Sequence, residues 1–346
     1  MIDLSKDALS YPFPETPPEG TMLEVAPGIH WVRMPLPFAL DHVNLWLIED
    51  GDGWTMIDTG LADDRTRANW RTVLKGPAAG RAVARLLATH FHPDHAGLAG
   101  WFQEETGAPL LMSRVEWLTG RMLSIADDAA AGDAGAFFRS QGLAAEKADG
   151  MTRRGNVYRQ RVTPLPPVYQ RLAEGDVVQI GGRPWRVMIG TGHAPEHVCL
   201  YCEPLNVLIA GDQILPRITP NVSVHWYEPL ANPLAGFLAS SERFAKLPKD
   251  VLVLPSHGKP FRGLRQRLAG LEHHHAERLA EVAAACAEPR TAADLLPVLF
   301  RRPLDDHQLA FAMGEAVAHL AYLAEDGTLI RHRDREGVFR FQAVRP

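Results

Sequence analysis

Ala88-Thr89-His90-Phe91-His92-Pro93-Asp94-His95-Ala96-Gly97 places three histidines and one aspartate within six residues, directly after the apolar run Val83, Leu86, Leu87. That run predicts a buried strand, with the polar groups at its end. Imidazoles and a carboxylate at this spacing cannot all be satisfied inside a core, where each buried polar group needs a partner. A divalent cation meets that need, because neutral imidazole and ionised carboxylate are its ligands. A histidine-rich surface loop explains one histidine but not the spacing.

Other apolar strands end the same way. Trp185 to Ile189 delivers Gly190-Thr191-Gly192-His193, Val207 to Ala210 delivers Gly211-Asp212, and Val251 to Leu254 delivers Pro255-Ser256-His257-Gly258. Glycine lets backbone approach a crowded centre, and strand ends hold side chains accurately enough for coordination. His90, His92 and His193 make one ligand set, Asp94, His95 and His257 a second, and Asp212 can bridge. Two divalent ions, zinc with iron or manganese as alternatives, would then share a water at an open position. Their charge lowers its pKa and polarises a substrate oxygen, which makes the reaction class hydrolysis, with Asp94 and Asp212 the catalytic carboxylates. Asp58, at the end of the strand Trp54 to Ile57, either orients a ligand histidine from behind or caps the helix near Asp63 to Leu74. Ser256, beside His257, reads as a hydrogen-bond donor supporting the centre.

Composition sets the bounds. A chain of 346 residues with 46% hydrophobic and 22% charged residues is ordinary for a globular protein. Its net charge of −5 argues against a dedicated nucleic-acid binder. Cys199, Cys202 and Cys286 are too few for a disulfide framework, which fits a reducing cytoplasm. Cys199-Leu-Tyr-Cys202 resembles a CxxC pair, but on a strand the two face opposite ways and share no metal. Neither a signal segment nor a membrane-spanning run is expected.

In chain order, residues 1–20 predict an extended, proline-rich arm. Strands follow over Ile29 to Val32, His42 to Ile48 and Trp54 to Ile57, the last two joined at Gly51-Asp-Gly53. A helix to about Glu105, with Gly97 and Gly100 allowing close approach to the sheet, precedes a strand over Leu110 to Met112. Residues 113–170 break the rhythm as an insertion, helical at first through Val115, Trp117, Leu118, Met122, Leu123, Phe137 and Phe138. From Met151 to Ala173 there are five arginines, Arg153, Arg154, Arg159, Arg161 and Arg171, and no acid. This stretch either holds an anionic part of a substrate or is a solvated surface. Val177 to Ile180 with Trp185 to Ile189, and Val198 to Cys202 with Val207 to Ala210, predict two hairpins.

His90-x-His92-x-Asp94-His95, Gly192-His193, Gly211-Asp212 and His257-Gly258 together resemble the metallo-β-lactamase superfamily, over roughly residues 20 to 262. Asp58-Thr-Gly is similar to that family's early aspartate motif, and His197 stands where many members carry a structural histidine. The resemblance implies an α/β fold, an αββα sandwich with a dinuclear site at its edge, here the catalytic domain 21–262. True β-lactamases of the family usually alter the Asp-His pair kept here, so an antibiotic-degrading role is not expected. Hydroxyacylglutathione hydrolases share the seven ligands, but their glycine- and cysteine-containing stretch is replaced by Gln213-Ile-Leu-Pro-Arg-Ile-Thr-Pro-Asn-Val-Ser223. Lactone-hydrolysing members place a tyrosine three residues past the bridging aspartate, where this chain has Leu215. Ala194-Pro195 follows His193 where many members have a hydroxyl residue.

Residues 263–346 read as a linker helix, Leu264 to Ala287, then helix, helix and hairpin, similar to the winged-helix module appended to some members, a few of which cut single-stranded RNA. His273, His274 and His275 are adjacent on that helix and cannot converge on one ion. Between Leu304 and Ile330 there is no lysine or arginine, so the module lacks the phosphate contacts that dominate nucleic-acid affinity. Packing, homodimerisation or a wall of the pocket is its expected role. The sequence thus points to a metal-dependent hydrolase of an ester-like carbonyl, preferably a thioester of coenzyme A or glutathione type. A phosphodiesterase or RNA endonuclease and a lactone hydrolase are the alternatives. Arg153, Arg154 and Arg159 are the expected anion-binding residues, with His225, Trp226 and Tyr227 as wall residues and Trp117, Met122, Phe137 and Trp226 as apolar lining.

Overall fold

In β3 (His42–Asp50) both faces are apolar, so both must be covered. Val43, Leu45 and Leu47 enter one core cluster and Trp46 and Ile48 another, as alternation along a strand requires. The structure is a computed structural model that describes residues 9–38 and 40–344; residues 1–8 of the expected arm lie outside the described residues. Around β3 runs a sheet of β1 (Leu23–Ala26), β2 (Ile29–Pro35), β3, β4 (Gly53–Ile57), β5 (Ala82–Leu87), β6 (Leu110–Ser113) and β7 (Gln170–Leu172), ordered as in the chain. β1 to β4 pair antiparallel and β4 to β7 parallel. A second sheet comprises β8 (Val177–Ile180), β9 (Arg183–Gly190), β10 (His197–Cys202), β11 (Val207–Gly211) and β12 (Leu252–Pro255), in the order β12-β11-β10-β9-β8.

The two sheets share a dry layer in which Trp31, Trp46, Ile57 and Leu87 meet Trp185, Val187, Leu200 and Leu254. On the far face of the first sheet, Trp70 of α1 (Asp64–Lys75) and Phe102 of α3 (Ala99–Thr106) pack edge to face at 5.5 Å. The single turn α2 (Pro93–Ala96) and α4 (Arg114–Ile125) complete the helices wholly in this unit. Asp63 caps α1 by accepting the Thr66 N–H at 2.7 Å. The glycines approach something other than the expected sheet: a Cβ on Gly97 would meet the Gly60 carbonyl at 2.5 Å, and one on Gly100 the Pro164 carbonyl at 2.2 Å. β1 and β7 were not expected; they have four and three residues, too few for a periodic signal.

Contacts divide the chain into two units, the first of residues 1–125, 158–220 and 243–268, the second of 126–157, 221–242 and 269–346. α5 (Ala129–Ser140), α6 (Ala145–Arg153), most of α7 (Pro233–Phe244) and of α8 (Leu264–Ala285), α9 (Leu296–Leu299), α10 (Asp306–Glu325) and the hairpin β13 (Leu329–Arg333)–β14 (Phe339–Ala343) make the second. The helix–helix–hairpin order is the expected one, and Asp305 with Gln308 forms a capping box on α10. Of the three adjacent histidines, His273 is exposed and pairs with Glu277, whereas His275 is buried with Nδ1 3.4 Å from His319 Nε2. Among the described residues no helix is long and apolar enough to cross a membrane.

Candidate metal centre

All seven expected ligands lie in the first unit, at or just beyond strand ends: His90, His92, Asp94 and His95 after β5, His193 after β9, Asp212 after β11 and His257 after β12, with the expected supporting Asp58 after β4. Three groups have donor atoms mutually within 4.8 Å and could hold an ion: His90, His92 and His193; His90, His95 and Asp212; Asp94, His95 and His257. Five imidazoles and two carboxylates thus converge from four connections. Asp212 Oδ2 is 3.4 Å from His193 Nε2 and 3.6 Å from His95 Nε2, while its Oδ1 is 3.3 Å from His257 Nε2. Asp94 Oδ2 lies 3.5 Å from His257 Nε2 and 3.7 Å from His95 Nε2.

Hydrogen bonds behind the rings decide which nitrogen faces the centre. Asp58 accepts from the Thr89 N–H at 2.7 Å, the Thr89 hydroxyl at 2.8 Å and His95 Nδ1–H at 2.8 Å. Thr89 has one hydroxyl hydrogen, already given to Asp58, so its oxygen accepts from His90 Nδ1–H at 3.0 Å. His257 Nδ1–H donates to the His42 carbonyl at 2.7 Å. Each of the three rings therefore commits its Nδ1–H outward and presents Nε2 to the centre, the orientation a metal requires. His90 Nε2 is 2.9 Å from His92 Nδ1 and 3.2 Å from His193 Nε2. Burial, then the charges of His95, His92, His197 and His193, hold His90 well below the usual imidazole range, hence neutral. Burial pushes the Asp212 carboxyl up, but His257 and His95 outweigh it and keep it ionised.

The site fits a cation on one further ground. His95 Nε2 and Asp212 Oδ1 are buried and, beyond ion-pair approaches at 3.6 and 3.3 Å, have no well-formed hydrogen bond among the described residues. Such orphaned groups are costly, and a divalent ion would satisfy both. Ser256 behaves differently from expectation: its hydroxyl has no hydrogen-bond partner among the described residues, and its backbone instead ties Gly211 to Asn44. Cys199 and Cys202 are free and buried on β10, and neither joins a candidate ligand group among the described residues.

Four positioning residues escaped the sequence reading or were read only loosely. Glu116 of α4 is buried and accepts the Phe91 N–H at 3.0 Å and the Glu196 N–H at 2.7 Å, which clamps the peptide between His90 and His92. Burial pushes its carboxyl up to about 8. His197, expected as structural, accepts the Asp212 N–H at Nε2, 3.1 Å away. Asn44 donates to the Pro255 and Gly258 carbonyls at 2.8 and 2.7 Å, and His42 Nε2 accepts the Gly258 N–H at 2.9 Å. The signal for Glu116 was available: Glu116, Thr119, Gly120 and Ser124 form one helical face, and that face is the buried one. Met122, expected as apolar lining, is 40% exposed, and Leu118 of the same helix is 52% exposed. Trp117 instead stacks on Tyr169 at 4.4 Å.

Arg153, Arg154, Phe137, His225, Trp226 and Tyr227 belong to the second unit, and Arg159 to a 3₁₀ turn of the first. None of them is in a candidate ligand group.

The comparisons agree with this geometry. The family profile described as Metallo-beta-lactamase superfamily matches residues 39–257, and one described as Metallo-beta-lactamase-like, C-terminal domain, matches 279–344. A probable metallo-hydrolase of Bacillus subtilis, YqjP, is 25% identical over 328 residues, 89% of this chain and 96% of the relative. The acyl-coenzyme A thioesterase MBLAC2 of Gallus gallus is 27% identical over 254 residues, 68% of this chain and 79% of the relative. The crystal structure of a beta-lactamase domain protein from Burkholderia ambifaria is similar with a TM-score of 0.92 at 46% identity, covering 98% of this chain and 99% of that one. A metallo-beta-lactamase family protein from Thermus thermophilus follows with a TM-score of 0.80 at 30% identity, covering 93% and 100%. With a profile match over more than half its length, on a fold that gathers seven polar strand-end groups, this chain belongs to the metallo-beta-lactamase superfamily.

Proposed function

We propose that the chain is a dinuclear metal-dependent hydrolase of an ester-like carbonyl, with a thioester carrying an anionic group as its substrate. The observation that carries the reading is the convergence of His90, His92, His193, Asp94, His95, His257 and Asp212 around two orphaned buried atoms. His90, His92 and His193 would hold one divalent ion, Asp94, His95 and His257 the other, and Asp212 would serve both. When bound, such a pair, zinc with iron or manganese as alternatives, lowers the pKa of a water to about 7 and polarises a carbonyl oxygen. The chain's own residues do the rest. Asp58, Thr89 and the His42 carbonyl hold three imidazoles with their lone pairs inward. Asp94 is the more exposed of the two carboxylates, 21% of its side chain against 9% for Asp212, and would be the one placed to act as a catalytic base there.

A thioester is favoured because a relative matched over 68% of this chain is an acyl-coenzyme A thioesterase. Leu215, where lactone-hydrolysing members carry tyrosine, and the cation-free stretch 304–330 stand against the lactone and RNA readings. The deciding experiment loads the purified chain with zinc, iron or manganese, counts ions by elemental analysis and assays acyl-coenzyme A, acyl-glutathione, lactones, a phosphodiester and single-stranded RNA. Two ions per chain and thioester turnover are expected. RNA turnover with indifference to thioesters would overturn the substrate, and failure to retain metal would overturn the centre.

A further inference from the structure

A cavity of about 290 Å³ in the first unit shares His257 and Gly258 with the metal centre. Three cations line it, Arg33 from β2, Arg217 five residues past Asp212 and Lys259 two residues past His257, and among the described residues no aspartate or glutamate does. The chain as a whole carries a net charge of −5, so this concentration of positive charge is local. Arg33 approaches one nearby acid, Asp41, at 3.5 Å, and Asp41 is already bonded to His42 Nδ1 at 2.6 Å. Arg33 Nε is buried with no hydrogen-bond partner among the described residues. Leu40, Pro216 and Ile218 supply an apolar wall, which strengthens the attraction of those cations for an anion.

The proline-rich arm builds the remaining wall. Ser10 and Arg262 exchange backbone hydrogen bonds at 3.2 and 2.9 Å, and Lys259 Nζ donates to the Pro14 carbonyl. The arm thereby brings Tyr11 and Thr16 into the cavity, with the Arg217 guanidinium 5.8 Å from the Tyr11 ring centre. Arg153, Arg154 and Arg159, the cations singled out from sequence, are not among its lining residues. The volume is at the small end for ligand pockets, about 300–1,000 Å³, and suits a fragment rather than a whole carrier.

We propose that this cavity is an anion subsite which holds a phosphate or carboxylate of the substrate's thiol half between Arg33, Arg217 and Lys259, with the arm as its wall. The word substrate rests on the hydrolase reading above; the anion site rests on its own residues. Arg217 is exposed, so its replacement leaves the fold intact, which a thermal melt checks. The full chain, stripped of metal, is titrated calorimetrically with adenosine 3′,5′-bisphosphate for the phosphate source and S-methylglutathione for the carboxylate source. Binding of either is expected, weakened about tenfold or more in Arg217→Ala and further in Arg217→Glu. With metal restored, Arg217→Glu lowers kcat/KM for the anionic thioester, relative to a neutral N-acetylcysteamine thioester of the same acyl group, by a similar factor. Binding of neither probe, or affinities and a ratio unmoved by both variants, overturns the proposal. Probe binding that depends on Arg217, with no thioester turned over, upholds the anion site and sinks the thioesterase reading.

Discussion

Thr89 has a single hydroxyl hydrogen, and Asp58, which only accepts, takes it. From that one constraint the orientation of His90 follows, and the same carboxylate orients His95. Asp58→Asn replaces an oxygen by an amide donor facing donors, so metal affinity is expected to fall about 10–100-fold while the chain stays folded. Competition against a chromophoric chelator measures it; unchanged affinity would remove Asp58 from the centre. Asp212→Ala is the harsher change, because Asp212 faces His193, His95 and His257 together. Loss of both metal occupancy and turnover is expected, and retained activity would refute its bridging role. The seven candidate ligand positions were legible because polar side chains at that spacing make no sense in a core without a cation. For Asp58 sequence left two roles open, and the structure separates them by giving the cap of α1 to Asp63.

At the scale of elements, α4 shows where periodicity misleads. Its buried face is Glu116, Thr119, Gly120 and Ser124: Glu116 takes the Phe91 N–H of the loop that carries the candidate ligands, and Gly120 lies against Leu165 and Phe91. Each Glu116 oxygen accepts a different backbone N–H. Glu116→Gln leaves one of those donors facing an amide NH₂, which costs about 1–3 kcal/mol. Denaturant unfolding of the metal-free protein reads that loss, and weaker metal retention should accompany it, since Phe91 lies between two ligands. A variant as stable as the parent would show that the clamp contributes nothing. β11 ends on a similar constraint: Gly211 has φ +53°, and a Cβ there would meet His197 Cε1 at 2.4 Å. The glycine was legible as close approach, but its neighbour was not, since His197 starts β10 and reaches it only when β10 and β11 pair.

For the whole chain, two sheets bury one shared apolar layer and the chemistry sits at strand ends. The second unit carries its own buried polar group, Glu315 of α10, whose Oε2 accepts from Asn221 Nδ2 at 3.3 Å. Burial pushes its carboxyl from the ordinary 4.5 up to about 7, against smaller lowering by Asn221 and Arg278. Between those two values the folded chain keeps a proton that the unfolded chain has lost, so stability falls as pH rises through the window. The loss is on the order of 3 kcal/mol. Glu315→Gln is expected to remove that slope, so parent and variant midpoints diverge in thermal melts between about pH 5 and about pH 8. Parallel curves would show that Glu315 does not titrate there.

By itself, the sequence determined the inventory of candidate ligands, the strand ends that carry it and the superfamily it resembles, because spacing and apolar runs are local properties of a chain. Only the tertiary structure decided which cations share a cavity with His257. Arg33, Arg217 and Lys259 are 226 positions apart at the extremes, and the arm residue Tyr11 lies further still from Lys259. Nothing along the chain marks such a meeting. It exists because pairing of β2 with β3 and β11 with β12, and the stapling of Ser10 to Arg262, bring remote segments to one edge of the first unit.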